Sequence, residues 1–338
     1  MPAMRDTRAD LLRAADAVAR GQAGVVSRQQ LVTRGWTDSM IKSQLHAGRW
    51  QACFRGVYAV STGGLSPQAR VWAALLSCGA GAVAAGLTAA WLHGLVDQLP
   101  DVLEIAVPPH RDVVGGPGIV VRRDRHLYRR RHPAQSPPRL RIEEVVLDLA
   151  DGAARVDDLV GWITRACQRR LTTADRLEQA RLQRPRLRQR TLIGEVLDAS
   201  RDGVASSLEH RWRRDVEKAH GLPTGSRNHR ELIDRGQTPS GGRGAVYRDV
   251  RYQRFAVVVE LDGRLAHPFE DRGRDAHRDR LLAAQGETTL RFGWADAAGR
   301  PCESAAELAA VLHAHGWRGE LVPCGPTCTA APRSSVVA

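Results

Sequence analysis

The run Val257-Val258-Val259-Glu260-Leu261-Asp262-Gly263 constrains this chain more than any other feature. The stretch Phe255–Leu261 is almost wholly apolar. A strand so apolar belongs at the buried centre of a sheet. Around it the pattern predicts a helix over Ser206–Ala219, strands over His229–Ile233 and Ala245–Tyr252, a helix over Asp275–Gln285 and a last strand over Thr288–Gly293. The expected architecture is α/β (α+β) and multidomain.

The same run carries the chemistry. Glu260 and Asp262 lie two apart on a strand and so face the same way. Asp249, on the preceding strand, is close enough to pair beside them. Crowded carboxylates repel one another and stay ionised where a cation neutralises them. An all-oxygen ligand set favours Mg²⁺ or Mn²⁺ over zinc. Asp249, Glu260 and Asp262 are therefore candidate metal ligands for phosphodiester hydrolysis. His267 and Glu209 would add a proton-transfer group and a further carboxylate, and Arg278 or Arg291 a phosphate contact. Blander readings stand beside these. Asp262-Gly263 is also a turn pair, Arg278 and Asp279 suit a helix surface, and His267 alone means little. Glu260 resists such an account, because a carboxylate ending a buried run needs a partner.

Near the N-terminus a second pattern stands out. Residues 8–20 read as an amphipathic helix. Ser27 and Gln30 have capping-box spacing and open a helix with Leu31 and Val32 inward. Gly35 supplies a turn, and Thr37 or Asp38 caps a second helix with Ile41 and Leu45 on one face. Ser39, Lys42, Ser43 and His46 occupy its opposite, wet face. Gly48 ends it, and Trp50–Phe54 with Val57–Ser61 form a hairpin around Arg55-Gly56. Helix, turn, helix, basic hairpin is the order of a winged helix-turn-helix, whose second helix enters the major groove. Arg49 and Arg55 would reach the phosphate backbone from the wing. The competing reading is a small helical cap that binds nothing.

The net charge of +13 over 338 residues favours a polyanionic partner, DNA before a membrane surface. Only Lys42 and Lys218 are lysines, a skew that a GC-rich genome also produces, so clustering counts for more than the total. Six arginines fall within 122–132 and nine within 165–190. The second cluster reads as a solvated helical connector, broken at Pro185, that could also lie along DNA. Cys53, Cys78, Cys167, Cys302, Cys324 and Cys328 are scattered without a CxxC pair, which argues against zinc and against a disulfide scaffold. With no signal-like start and no run near the ~20 apolar residues of a membrane span, a cytoplasmic protein is expected.

The expected organisation is a helix-turn-helix block at 8–62, a helical and strand extension at 63–150, a basic helical linker at 151–191, a nuclease-like domain at 192–317 and a disordered tail at 318–338. Two resemblances emerge at these residues. Residues 192–317 resemble the very-short-patch-repair-like endonuclease family called domain of unknown function 559. The carrying series is Ser207-Leu208-Glu209, Asp249, Val259-Glu260-Leu261-Asp262-Gly263 with His267, Asp275-x-x-Arg278-Asp279, and Leu290-Arg291-Phe292. That resemblance implies a restriction-endonuclease-like mixed sheet flanked by helices. It departs from the wider superfamily at Asp262, where a Lys is usual, and makes His267 the candidate general base. Residues 8–150 resemble the AbiEi antitoxin family, through the helix-turn-helix block, Gly48-Arg49-Trp50, Arg55-Gly56-Val57-Tyr58, and Leu87-Thr88-Ala89-Ala90-Trp91-Leu92-His93-Gly94-Leu95. That resemblance implies a winged-helix autorepressor with a cognate toxin.

Two functions follow. One is a DNA-directed, Mg²⁺- or Mn²⁺-dependent endonuclease. The other is a non-catalytic, antitoxin-like transcriptional regulator whose nuclease-like domain is inert. The oligomeric state is not legible in the sequence.

Overall fold

A computed structural model describes residues 8–201, 206–233, 244–262 and 287–330. It has mixed α and β structure, with three small sheets among the described residues. The chain divides into two compact units, Met1–Leu149 and Ala150–Ala338.

The first unit opens with helix α1 (Arg8–Arg20), strand β1 (Val25–Ser27), helix α2 (Arg28–Val32) and helix α3 (Asp38–His46). Strands β2 (Gln51–Phe54) and β3 (Val57–Ala59) follow. The three strands form an antiparallel sheet in the order β1-β3-β2. Apolar residues at i, i+4 and i+8 of α1 (Leu11, Ala15, Ala19) pack with Val26, Leu31, Trp36, Ile41 and Trp50 into one core. The capping box forms as its spacing predicts: the Ser27 hydroxyl accepts from the Gln30 backbone N–H, and the Gln30 side chain accepts from the Ser27 N–H. Val32, expected inward, is instead 44% exposed. A helix of five residues buries one position per turn, and Leu31 already occupies it.

The rest of this unit comprises α4 (Pro67–Cys78), β4 (Val83–Ala84), α5 (Gly86–Leu92), β5 (Leu103–Val107), β6 (Ile119–Arg123), α6 (Leu127–Arg130) and α7 (Ile142–Gly152), the last running just past the division. Strand β5 pairs antiparallel to β4 and parallel to β6. Val71, Ala74, Leu75 and Cys78 of α4 cover Leu103, Ile105 and Val107 of β5. Glu104 ties sheet to helix: its carboxylate accepts from the Leu87 N–H at 2.9 Å and from Arg122 at 2.8 Å. Arg130 is gripped by three carboxylates, Asp124 at 2.6 Å, Glu144 at 2.8 Å and Asp148 at 2.5 Å. Arg123 pairs with Asp112. Half of the arginine cluster at 122–132 is thus engaged by the protein's own acids.

The second unit begins with α8 (Val156–Gln168), α9 (Ala174–Leu182) and α10 (Arg190–Arg201). This differs from a solvated connector. Leu159, Ile163, Ala166, Leu177 and Leu187 are all buried. Several arginines are built into the packing: Arg181 pairs with Glu178 at 2.6 Å, and Arg190 donates to the carbonyls of Arg181 and Arg184. A helical run follows, from α11 (Ser206–Arg211) through a wider π turn at Trp212–Glu217 to a 3₁₀ turn at Lys218–His220. Strands β7 (Ser226–Ile233), β8 (Gly244–Tyr252), β9 (Val257–Asp262) and β10 (Thr288–Gly293) form a sheet in the order β10-β9-β8-β7. Helix α12 (Pro301–Ala314) comes after it. As its composition predicts, β9 is interior, with Val257, Val258 and Val259 fully buried. It starts two residues later than expected, because Gln253–Phe255 form a 3₁₀ turn and Ala256 adopts the left-handed conformation to reverse the chain from β8.

The expected helix at Asp275–Gln285 lies outside the described residues. Residues 320–330, expected as part of a disordered tail, return to the fold instead. The Val322 N–H donates to the His220 carbonyl at 3.0 Å, and Cys328 and Ala330 are buried. Residues 331–338 lie outside the described set. No helix among the described residues is long and apolar enough to cross a membrane.

The Arg130 cluster gives a stability test. Arg130→Ala leaves three shielded carboxylates without their counter-charge and should lower unfolding free energy by about 3–5 kcal/mol. Arg130→Lys should recover only part, because an ammonium cannot present the planar fork that serves three acceptors. Denaturant midpoints of the three proteins check this. Equal midpoints would show that the cluster carries no stability.

Candidate nucleic-acid interface

The geometry around α3 is set from below by two tryptophans. Trp36, in the turn before α3, donates its indole N–H to the Leu11 carbonyl at 3.1 Å. Its ring meets that of Trp50, just after α3, with centroids 4.9 Å apart. Both are buried, as are Ile41 and Gln44 on the underside of the helix. With a buried row fixed beneath a nine-residue helix, the opposite row must face solvent.

That outer row holds Ser39, Lys42, Ser43 and His46, spaced i, i+3, i+4 and i+7, and all four are exposed. Thr37 caps the helix, its hydroxyl accepting from the Met40 N–H. The one acid in the first turn, Asp38, is held in a bidentate pair by Arg28 of α2, both contacts at 2.7 Å. The hydrogen-bonded Arg28 guanidinium holds the Asp38 carboxyl below the usual carboxylate range. The pair braces α2 against α3 and masks the acid that would otherwise repel an anion. Gly48 takes a left-handed conformation (φ 65°) to close the helix, as a glycine at this position commonly does.

Arg55 is exposed at the tip of the β2–β3 hairpin. The Gly56 carbonyl accepts from the Arg28 N–H at 2.7 Å, which ties that tip to the start of α2. Arg49 is exposed as expected, but it sits at the joint between α3 and β2 rather than on the hairpin. Its Nε donates to the buried Gln44 side chain at 2.7 Å, holding it beside the outer row of α3. The six candidate DNA contacts therefore fall on one helix, its exit and one hairpin tip.

The carboxylate candidates of the second unit are brought together in part. Asp249 precedes Val250 on β8, and Glu260 follows Val259 on β9, where Val250 and Val259 pair. Asp262 pairs in register with Gly293. The side chains of Asp249 and Asp262 lie outside the described set, as do all of His267 and Arg278. Glu209 is buried on α11. Glu260 and Arg291 are register partners on parallel strands, and Arg291 Nε donates to Glu260 Oε2 at 3.0 Å. Glu260, which needed a partner, has a counter-charge within the protein.

One grouping was missed. His220, Cys302, Cys324 and Cys328 place their ligand atoms within 4.8 Å of one another. The expectation of no zinc site rested on the missing CxxC pair, and these four ligand atoms meet without one. Only folding brings the histidine turn, the start of α12 and the tail together. The signal that remained in the sequence was Cys324-x-x-x-Cys328 itself.

Residues 82–199 match the family model of the AbiEi antitoxin C-terminal domain. The match begins after the helix-hairpin block and α4 and ends within α10. No curated protein matches the chain.

Trp36→Phe keeps a ring against Trp50 but deletes the donor to Leu11. Losing one such hydrogen bond should cost about 1 kcal/mol. Thermal unfolding should show that loss. DNA retention well below the transition should be unchanged, because no residue of the outer row moves. Unaltered unfolding would remove Trp36 as the brace beneath α3.

Proposed function

We propose that this protein is a non-catalytic, DNA-binding regulator of the toxin–antitoxin kind, whose first block works as a winged helix-turn-helix. One observation carries this. The exposed row Ser39, Lys42, Ser43 and His46, with Arg49 and Arg55, stands N-terminal to the segment that matches the AbiEi antitoxin C-terminal domain, with helix α4 between them. In this reading α3 enters the major groove. Ser39 and Ser43 meet base edges, and Lys42, Arg49 and Arg55 meet phosphates. A cognate toxin is the protein partner, and the protein acts in the cytoplasm.

The second unit bears on an alternative, a restriction-endonuclease-like nuclease. Its order of a helix, three strands, a further parallel strand and a helix suits that fold, and Asp249 and Glu260 adjoin a paired position of the ladder. In that alternative Asp249, Glu260 and Asp262 would hold Mg²⁺ or Mn²⁺, with Glu209, His267, Arg278 and Arg291 around them. Two features weigh against it. Arg291 pairs with Glu260 at 3.0 Å, and Asp262 stands where the superfamily's Lys is expected. The reading favoured here is an inert domain of nuclease-like shape.

Binding to duplexes selected from a random pool, followed by fluorescence anisotropy over a salt series, tests the regulator reading. Lys42→Ala and Arg55→Ala should each weaken binding across sequences and flatten the salt slope by about one. Ser43→Ala should relax the sequence preference instead. Wild-type affinity, slope and preference in all three variants would overturn the proposal. Supercoiled plasmid with Mg²⁺ or Mn²⁺ should stay intact. Nicking that disappears in Glu260→Ala would establish the nuclease in its place.

A further inference from the structure

We propose that His220, Cys302, Cys324 and Cys328 bind a single Zn²⁺ ion in a tetrahedral structural site. The four ligand atoms lie within 4.8 Å of one another, and the Cys302 and Cys324 sulfurs are 3.5 Å apart. A tetrahedron with Zn–S bonds of about 2.3 Å has edges of about 3.8 Å, so small adjustments complete it. Three thiolates and one imidazole are a soft, nitrogen-and-sulfur set that selects zinc over Mg²⁺ or Ca²⁺.

The histidine supplies the independent observation. His220 is fully buried, and its Nδ1 lies 3.1 Å from the Val216 carbonyl. A carbonyl can only accept, so Nδ1 carries the proton. That leaves Nε2 as the ring's free ligand atom, and it is buried without a hydrogen-bond partner beside the three cysteines. An orphaned buried acceptor is costly. A metal removes that cost, and the Nδ1–H bond to a backbone carbonyl is the usual orientation device for a ligating histidine.

The backbone is arranged for the same meeting. Gly221 follows His220 in the left-handed conformation (φ 67°), and a Cβ there would come within 2.8 Å of Val322. The Val322 N–H donates to the His220 carbonyl, laying the tail on the histidine turn before any sulfur is involved. Cys302 starts α12, and Cys324 and Cys328 flank a turn closed by the Cys328 N–H to the Gly325 carbonyl. Residues 320–330 bury little of their apolar surface: of them only Cys328 and Ala330 are buried, and Val322 is 54% exposed. The ion would pin this segment across the end of the helical run from Ser206 and the start of α12. A Cys302–Cys324 disulfide is the competing use of two of these thiols. It would leave the buried His220 Nε2 without a partner, and none of the six cysteines is in a disulfide.

The test uses the full chain, purified under reducing conditions without a polyhistidine tag. Elemental analysis should find about one zinc per chain. Exchange with Co²⁺ should give the strong visible bands of a tetrahedral thiolate complex. Cys324 is exposed, so Cys324→Ser should fold and yet lose most of the metal and the spectrum. Cys302→Ser should do likewise, and Cys53→Ser, in the other unit, should keep both. Removing zinc from the wild type should lower its melting temperature to that of Cys324→Ser. Zinc-free protein that gives no Co²⁺ spectrum overturns the proposal. So does a spectrum unchanged in the Cys302→Ser, Cys324→Ser double variant, or recovery of these two residues as a disulfide.

Discussion

The contact between Trp36 and Trp50 fixes the first unit. The two indoles bracket α3 in sequence and meet beneath it, while the Trp36 N–H reaches back to α1. A close aromatic pair of this kind, its rings tilted by 32°, contributes about 0.5–1.5 kcal/mol beyond the area it buries. Its larger effect is geometric. Once the turn before α3 and the strand after it are locked to one core, the helix cannot rotate about its axis. Ser39, Lys42, Ser43 and His46 are thereby committed to solvent, and the Arg28–Asp38 pair links the start of α3 to α2. On the proposed reading, a DNA-facing row is what this rigid mounting provides.

Charge within the chain divides between two uses. Arginines at 122, 123 and 130 are engaged by acids of the first unit, and Arg181 and Arg190 brace the helices of the second. A buried acid organises the second unit in the same way. Glu217 is fully buried and accepts from Arg227 and from the Tyr252 hydroxyl, both at 2.7 Å. Burial and the adjacent Glu217 carboxylate push the Tyr252 hydroxyl well above its usual range, so it remains a donor. Several arginines are therefore structural, and their charge is already balanced within the chain. The proposed DNA interface rests on the position of a few residues, not on the total of +13.

Local chemistry was legible in the sequence and long-range pairing was not. The capping box at Ser27 and Gln30, the glycine stops at 35 and 48, and the valine run of β9 each depend on neighbours along the chain, and each appears where the pattern put it. Val32 turned outward because five helical residues offer little buried face. Arg130 read as one more basic residue, since Glu144 and Asp148 come from a helix beyond the next loop. The partner of Glu260 could not be assigned to Arg291 until β9 and β10 were seen to pair in parallel register. The cysteine and histidine group was hidden for the same reason. Its members come from three separated segments, none bearing a familiar metal-binding spacing.

The claim on which the account turns is that α3 sits in a major groove. Dimethyl sulfate reaches guanine N7, which lies in that groove. On a duplex selected by the protein, the account predicts guanines protected in one short tract, and loss of that protection with Ser43→Glu. Bound DNA with every guanine still reactive, or protection unchanged in Ser43→Glu, would contradict it.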